Sequence, residues 1–130
     1  MEMTRANYSS GAPLEEKVGY SRMVTVGPFI YLGGTTSVKP DGTVHGEDDP
    51  YEQAKFIFDK LLKIMEEAGA TAENVVKVKA YVTDMSYAPE VGRAYSEYFL
   101  NVKPLFTMVG TTMLNRPTQL VEIEMDGMKY

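Results

Sequence analysis

The sequence contains no cysteine and only one histidine, His45. The lack of cysteine excludes disulfide bonds, cysteine zinc ligands and a thiol nucleophile. One histidine cannot build a multi-histidine metal site, and a serine-histidine-aspartate triad would have to use His45 itself. Because His45 lies in the polar run 41–47, we interpret it as a loop residue. We therefore predict no metal site.

Long apolar runs and clusters of basic residues are also missing. No segment approaches the roughly 20 apolar residues that a membrane span needs, and residues 1–7 contain no apolar signal-peptide core. We therefore expect a cytoplasmic protein with no membrane partner. The formal net charge is −5 and the pI is about 4.9. Without a dense lysine or arginine run, we do not expect a nucleic acid partner.

The residues that are present indicate one globular domain covering residues 1–130. Of these residues, 44% are hydrophobic and 24% are charged, which is ordinary for a chain that buries one core. No internal repeat, low-complexity tract or linker divides the sequence. Residues 1–19 are polar and rich in turn formers, so we predict irregular structure there, with room for one short strand.

The first half of the remaining chain is predicted to form two strands and a helix. Residues 20–26 and 29–36 are rich in β-branched and aromatic residues, and Gly27-Pro28 between them indicates a hairpin. Asp49 can cap a helix in which apolar residues recur at helical spacing over about residues 50–68.

The second half is predicted to form a strand, a helix and two closing strands, at 75–82, about 84–99, 105–110 and 120–125. Asp84 or Ser86 would cap this helix. Side chains alternate along a strand. In the last strand, one face therefore carries Val121, Ile123 and Met125, and the other carries Glu122 and Glu124. In the strand at 75–82, one face carries Val76, Val78, Ala80 and Val82, and the other carries Lys77 and Lys79.

The predicted order is thus β-β-α-β-α-β-β, an α+β arrangement with two amphipathic helices on one face of a sheet of four or five strands. The other face would remain uncovered, and we expect Phe29, Tyr31, Phe106 or Met108 on it. An exposed face of this composition is typical of a protein interface. The pattern therefore predicts an oligomer.

Several short segments occur in this order in one known family: Gly19–Arg22, Leu32–Thr36, Asp49-Pro50, Asn74–Met85, Lys103-Pro104 and Val121–Glu124. Over about the whole chain from Ser9 onward, the sequence resembles the RidA/YjgF-type (Rid) family. The resemblance implies a chorismate-mutase-like fold, with one mixed sheet and two helices on one face. It also implies a homotrimer in which the sheets form a central barrel and small-molecule clefts lie between subunits.

The resemblance also implies a chemistry. Active members of the family hydrolyse reactive enamines and imines to 2-oxo acids and ammonia without a cofactor. At the matching positions, Tyr20 and Gly34 would bind the ligand and Glu122 would handle water. Phe106 stands where the family carries an arginine that clamps the substrate carboxylate, and Gly92 stands where it carries an asparagine. The chain thus resembles the branches of the family that lack the catalytic arginine.

Phenylalanine supplies no hydrogen-bond donor, whereas arginine grips a carboxylate with two. We therefore expect weak or absent activity on the usual 2-imino acids, with Phe106 as an apolar wall of the cleft. Arg22 and Arg93 adjoin matched positions, so either could hold an anion or serve only in structural ion pairs. Thr35 could donate a hydroxyl or satisfy strand packing.

Three functions follow as hypotheses. The first is a cofactor-free, deaminase-like hydrolase acting on an enamine or imine other than the usual substrates. The second is a non-catalytic protein that binds a small metabolite and regulates another enzyme. The third, disfavoured by the acidic composition, is an endoribonuclease or translation inhibitor, a label often attached to this family.

Overall fold

A six-stranded mixed sheet forms the frame of the protein in a computed structural model that describes residues 3–130. The strands are β1 (Arg5–Tyr8), β2 (Met23–Val26), β3 (Phe29–Thr35), β4 (Val75–Val82), β5 (Leu105–Gly110) and β6 (Val121–Met128). The helices are α1 (Pro13–Val18), α2 (Pro50–Glu67) and α3 (Ala88–Phe99). The predicted α+β class and the order of elements from β2 onward are confirmed. The sheet has six strands and not the four or five expected, because β1 pairs with β2 at its edge.

The strands lie side by side in the order β1-β2-β3-β6-β4-β5. Only β4 and β5 run parallel; the other neighbouring pairs are antiparallel. The predicted hairpin is present, with Val26 opposite Phe29 and Gly27 at a φ of 56° in the turn. The β3–β6 register shifts between Leu32 and Thr35, so the glycine pair Gly33-Gly34 lies in an irregular part of the ladder.

Helix α2 covers the inner face of the sheet and packs against α3. Asp49 caps α2, since its Oδ1 accepts a hydrogen bond of 3.1 Å from the Glu52 amide. The buried core joins the apolar stripes of α2 and α3 to the inward side chains of β3, β4 and β6. Its largest fully buried members include Phe58, Phe99, Ile30, Ile123 and Met125.

Three expectations about this frame need correction. The segment at residues 13–18 forms α1, because Pro13 suits the first turn of a helix and Gly19 ends it in the left-handed conformation at a φ of 96°. Val76 is exposed and Val75 buried, since the β4–β6 register shifts between Val75 and Lys77. The helix cap expected at Asp84 instead caps a short 3-10 turn, which precedes α3.

The outer face of the sheet is uncovered, as predicted, but its composition differs from the prediction. Phe29 and Tyr31 are exposed there. Phe106 and Met108 instead pack against the core, because alternation along β5 turns Leu105 outward in their place. None of the helices within residues 3–130 combines the length and apolar character that a membrane crossing requires.

Candidate functional site

Glu122 lies on β6 with its side chain on the outer face, opposite the buried Val121 and Ile123. The residue is half-buried, and within residues 3–130 no hydrogen bond reaches its carboxylate. Burial raises the pKa of Glu122; the positive charge of Arg22 lowers it and the negative charge of Glu124 adds to the rise, so that the net change is upward. The result is a carboxylate that holds a proton more strongly than an exposed glutamate does.

Gly34 on β3 forms the surface against which the Glu122 carboxylate lies. A Cβ atom built on Gly34 would come within 2.6 Å of Glu122 Oε2 and 3.2 Å of its Cδ. No side chain fits into that distance without displacing the carboxylate. Glycine at position 34 therefore allows the close approach of the Glu122 carboxylate to the strand.

Arg22 is buried just before β2, with 8% of its surface exposed. Its Nε donates to Glu15 Oε2 at 3.2 Å. Its Nη1 donates to the Gly34 carbonyl at 2.7 Å and to Thr35 Oγ1 at 3.0 Å. Thr35 in turn donates to the Gly33 carbonyl at 2.9 Å. Three of the five guanidinium donors are thus used inside the chain.

Arg22 forms its ion pair with Glu15, a residue that was not predicted as part of the site. Glu15 is 3% exposed and accepts hydrogen bonds from Ser9 Oγ at 2.8 Å, from the Ser10 amide at 3.0 Å and from the Ser10 hydroxyl. Burial raises the pKa of Glu15, but the Ser10 and Ser9 hydrogen bonds and the Arg22 charge outweigh it, so the pKa lies below its usual value. Pro13 at the start and Gly19 just after the end of the segment were the sequence signal for the helix that carries Glu15.

Tyr20 follows α1 and remains 40% exposed. Its ring lies 5.6 Å from the Arg22 guanidinium carbon. Tyr20 also lines an open cleft of about 270 Å³, together with Tyr8, Ser9, Glu15 and Ser21. The five predicted residues Tyr20, Arg22, Gly34, Thr35 and Glu122 therefore form one connected group, with Arg22 as its centre.

The other two predicted residues lie elsewhere in the chain. Phe106 is on the edge strand β5, and its ring stacks on Tyr95 of α3 with a centroid distance of 4.0 Å and an interplanar angle of 5°. Arg93 on α3 donates to Glu90 at 2.8 Å and lies 3.6 Å from the centroid of the Tyr51 ring. Because strands are spaced by about 4.8 Å, β5 is roughly 10 Å from β6 and roughly 15 Å from β3 in the strand order.

Two further positions, His45 and Gly92, also lie away from this group. The ring of His45 stacks on Phe56 with a centroid distance of 5.0 Å, and its Nε2 lies 3.3 Å from Glu52 Oε2. Gly92 lies on α3, where a Cβ atom would meet no atom within 4 Å. Across the part of the chain that the structure describes, no group of histidine, aspartate and glutamate side chains is arranged to hold a metal ion.

Known proteins are similar to this chain in sequence and in fold. The family model described as Endoribonuclease L-PSP matches residues 11–128. A protein of Streptomyces coelicolor is 33% identical over 118 residues, which cover 91% of this chain and 87% of the relative. A RutC family protein of Pyrococcus abyssi is 34% identical over 111 residues, covering 85% of each chain.

Solved structures agree with these sequence matches. The crystal structure of a Mycobacterium tuberculosis member of the YjgF/YER057c/UK114 family superimposes with a TM-score of 0.87 at 36% identity, covering 97% of this chain and 100% of that one. A Rid family protein from Yersinia pestis gives a TM-score of 0.83 at 22% identity, which reflects the shared fold alone.

Proposed function

The chain belongs to the Endoribonuclease L-PSP family, to which the RidA/YjgF proteins also belong, and from that premise we propose a cofactor-free hydrolase of enamine- or imine-type metabolites. In this proposal the protein is a homotrimer, and each small-molecule cleft lies between two subunits. Glu122 activates the water. The substrate differs from the usual 2-imino acids of the family.

The observation that carries the proposal is the state of Glu122. A half-buried carboxylate with a raised pKa, held against the Gly34 backbone and free of hydrogen bonds within residues 3–130, suits general base catalysis. It would accept a proton from water as the oxygen attacks the carbon of the C=N bond. The imine nitrogen would take up a proton to give a carbinolamine. Glu122 would then return its proton to that nitrogen, and the hydroxyl group would lose its proton as the C–N bond breaks, which releases ammonia and leaves a carbonyl product. Water is the only co-reactant.

The division of the predicted residues into two groups supports the inter-subunit cleft. Glu122 and Gly34 lie on central strands of the sheet, whereas Phe106 lies on the edge strand β5. A partner copy whose β5 edge reached the outer face near Glu122 would add the stacked pair Phe106 and Tyr95 to the site. The exposed Leu105, next to Phe106, gives that edge an apolar contact surface.

The substrate proposal rests on the fact that the arginines predicted near the cleft are already paired with other side chains. Phe106 donates no hydrogen bond, Arg22 is mostly buried and pairs with Glu15, and Arg93 is bound to Glu90 and Tyr51. Losing the charged partner of a buried carboxylate costs about 2–5 kcal/mol, which corresponds to at least an order of magnitude in binding. A substrate with an apolar or planar group in place of that carboxylate fits the Phe106–Tyr95 wall better.

An imine-hydrolysis assay tests the proposal. Imines formed in situ by an amino-acid oxidase, and neutral imines with an unsubstituted nitrogen formed in situ by oxidation of primary amines, would be supplied to the wild-type protein and to Glu122→Gln, with ammonia release as the readout. We expect Glu122→Gln to lower the rate about 10²- to 10⁴-fold. Asp126→Asn is the matched control: Asp126 lies on the same face of β6 and is exposed, and its rate should remain near wild type.

A Phe106→Arg variant belongs in the same assay. It should gain activity on 2-imino acids, because the new guanidinium can bind their carboxylate in a two-pronged hydrogen bond. Equal 2-imino acid activity in the wild type and in Phe106→Arg would contradict the substrate proposal. Equal rates in the wild type and in Glu122→Gln on every hydrolysed substrate would contradict the role of Glu122.

One observation favours a non-catalytic alternative. Phe106 and Tyr95 stack face to face and offer an apolar platform rather than a polar anchor, which suits a protein that binds a planar metabolite without transforming it. Metabolites that bind only the native state raise its thermal midpoint. A metabolite that raises the midpoint but is not consumed would support this alternative over hydrolysis.

The family description as endoribonucleases finds less support in this chain. Three acidic residues, Glu122, Glu124 and Asp126, follow one another along the outer face of β6, and the net charge is −5. A phosphate backbone is repelled by such a surface. RNA binding is therefore not part of the proposed function.

A further inference from the structure

The Glu15–Arg22 ion pair is buried at the centre of the candidate site, and its stability contribution does not by itself account for it. Arg22 is 8% exposed and Glu15 3% exposed. Taking two charges out of water is costly, and apolar side chains of similar volume often serve a fold equally well or better. A buried pair of this kind is better explained by a role in fixing the positions of the two segments that it joins.

One end of the pair is anchored by the chain before β2. The Ser9 and Ser10 hydroxyls and the Ser10 amide hold the Glu15 carboxylate. The amides of Gly19 and Tyr20 both donate to the Glu15 carbonyl at 2.9 Å, which closes α1 and turns the chain back. This turn brings Arg22, seven residues later, onto the Glu15 side chain.

The other end of the pair is attached to the irregular part of β3. Arg22 Nη1 binds the Gly34 carbonyl and the Thr35 hydroxyl. The Gly33 amide donates to the Arg22 carbonyl at 2.9 Å. The regular β3–β6 pairing is interrupted between Leu32 and Thr35, and the Arg22 contacts hold the backbone at this irregular position.

The segment held in this way is the one that touches Glu122. Gly34 lies so close to the Glu122 carboxylate that a Cβ atom would be 2.6 Å from Oε2. A small movement of Gly34 would therefore move or free the carboxylate. The guanidinium also places a buried positive charge near Glu122, which favours the ionised form of that carboxylate.

We infer that the Glu15–Arg22 pair is a positioning device for Glu122, which fixes the Gly33–Thr35 segment against the carboxylate and places a positive charge near it. The inference rests on the role proposed above for Glu122. Arg22 acts through its neighbours and not as a clamp on substrate, since so little of its surface is exposed.

The experiment removes both charges together, so that neither is left buried alone. A Glu15→Leu/Arg22→Met double variant of the full chain is compared with wild type by two NMR measurements that need no substrate. The first is the pH titration of the Glu122 side-chain carboxyl carbon. The second is hydrogen exchange of the Gly34 and Thr35 amides. We expect the Glu122 titration midpoint to rise and the two amides to exchange about tenfold faster.

The matched control is Lys55→Met/Glu97→Gln. It removes a surface ion pair that is distant from the site and has an N–O distance of 3.9 Å. It should change neither measurement. An unchanged Glu122 midpoint or unchanged exchange at Gly34 and Thr35 in the folded Glu15→Leu/Arg22→Met protein would overturn the inference.

Arg22→Lys provides a second test if the double variant does not fold. Lysine keeps the charge but lacks the planar fork that joins three acceptors. The Glu122 midpoint should stay near its wild-type value while Gly34 and Thr35 exchange faster; wild-type exchange would overturn the inference. Both measurements are independent of catalysis. If the wild-type protein hydrolyses no imine but both NMR measurements change in the variants as expected, the hydrolase proposal is contradicted and the positioning role is supported.

Discussion

At the scale of single residues, Gly34 brings the backbone of β3 into contact with the carboxylate of Glu122. We expect Gly34→Ala to displace that carboxylate, because the new methyl group would lie 2.6 Å from Oε2 at the end of a flexible side chain. The backbone should stay in place and the thermal midpoint should change little. Hydrolysis should fall roughly 100-fold, the cost expected for a displacement of about 1 Å. Initial rates and a crystal structure of the variant check this.

Gly33→Ala is the matched control for this prediction. A Cβ atom on Gly33 would lie 3.6 Å from the carbonyl oxygens of Arg22 and Ser21, which is ordinary van der Waals contact. Its rate should remain close to wild type. If Gly34→Ala and Gly33→Ala have the same hydrolysis rate, the close approach of Glu122 to Gly34 is not required for activity.

The sequence supplied part of the site at this scale. Tyr20, Gly34 and Glu122 were predicted from the resemblance to the family, and alternation along β6 placed Glu122 opposite the core; the structure brings the three together, and their roles stay predictions. Glu15 was missed, because its importance comes from Arg22, which reaches it only after α1 turns the chain. Whether Arg93 and Phe106 bind a ligand stays a prediction, since one chain alone does not bring them to Glu122.

Helix α2 shows how far local sequence signals fix an element. Its predicted start, cap and apolar face are confirmed, because all three depend on residues within a few turns of one another. The strand β4 shows the opposite. Val76 was assigned to the buried face but is exposed, since the register shift between Val75 and Lys77 depends on pairing with β6 and not on the sequence of β4 itself.

The cap of α2 gives a prediction at this scale. Asp49→Ala should lower the free energy of unfolding by about 1 kcal/mol, because the amide of Glu52 loses its side-chain acceptor. Thermal or denaturant unfolding measures the change. Asp49→Ser is the control, since serine can cap equally well, and it should lose only a few tenths of that amount. Equal losses in both variants would show that the cap hydrogen bond does not cause the effect.

At the scale of the whole molecule, the sheet has an uncovered outer face and an edge strand, β5, with exposed Leu105. We expect the protein in solution to have three times the mass of one chain, which light scattering or analytical ultracentrifugation measures. Leu105→Asp should weaken the assembly and lower hydrolysis with it, because a charge replaces an apolar contact at the edge that carries Phe106.

Leu100→Asp is the control for the assembly. Leu100 follows α3 and is 65% exposed, almost as much as the 66% of Leu105, but it lies outside the sheet. This variant should keep the wild-type mass. A wild-type protein that remains monomeric at the concentrations of the assay would rule out a cleft between subunits.

The sequence by itself determined the α+β class, the order of the main elements, the apolar stripe of α2 and the family to which the chain belongs. These follow from periodicity, capping and short motifs, which act over a few residues. Only the tertiary structure decided that Arg22 pairs with Glu15, that Gly34 touches Glu122, and that Phe106 stacks on Tyr95 away from both. Those contacts depend on strand order, register shifts and the turn after α1, and these are set by long-range packing, which no local pattern encodes.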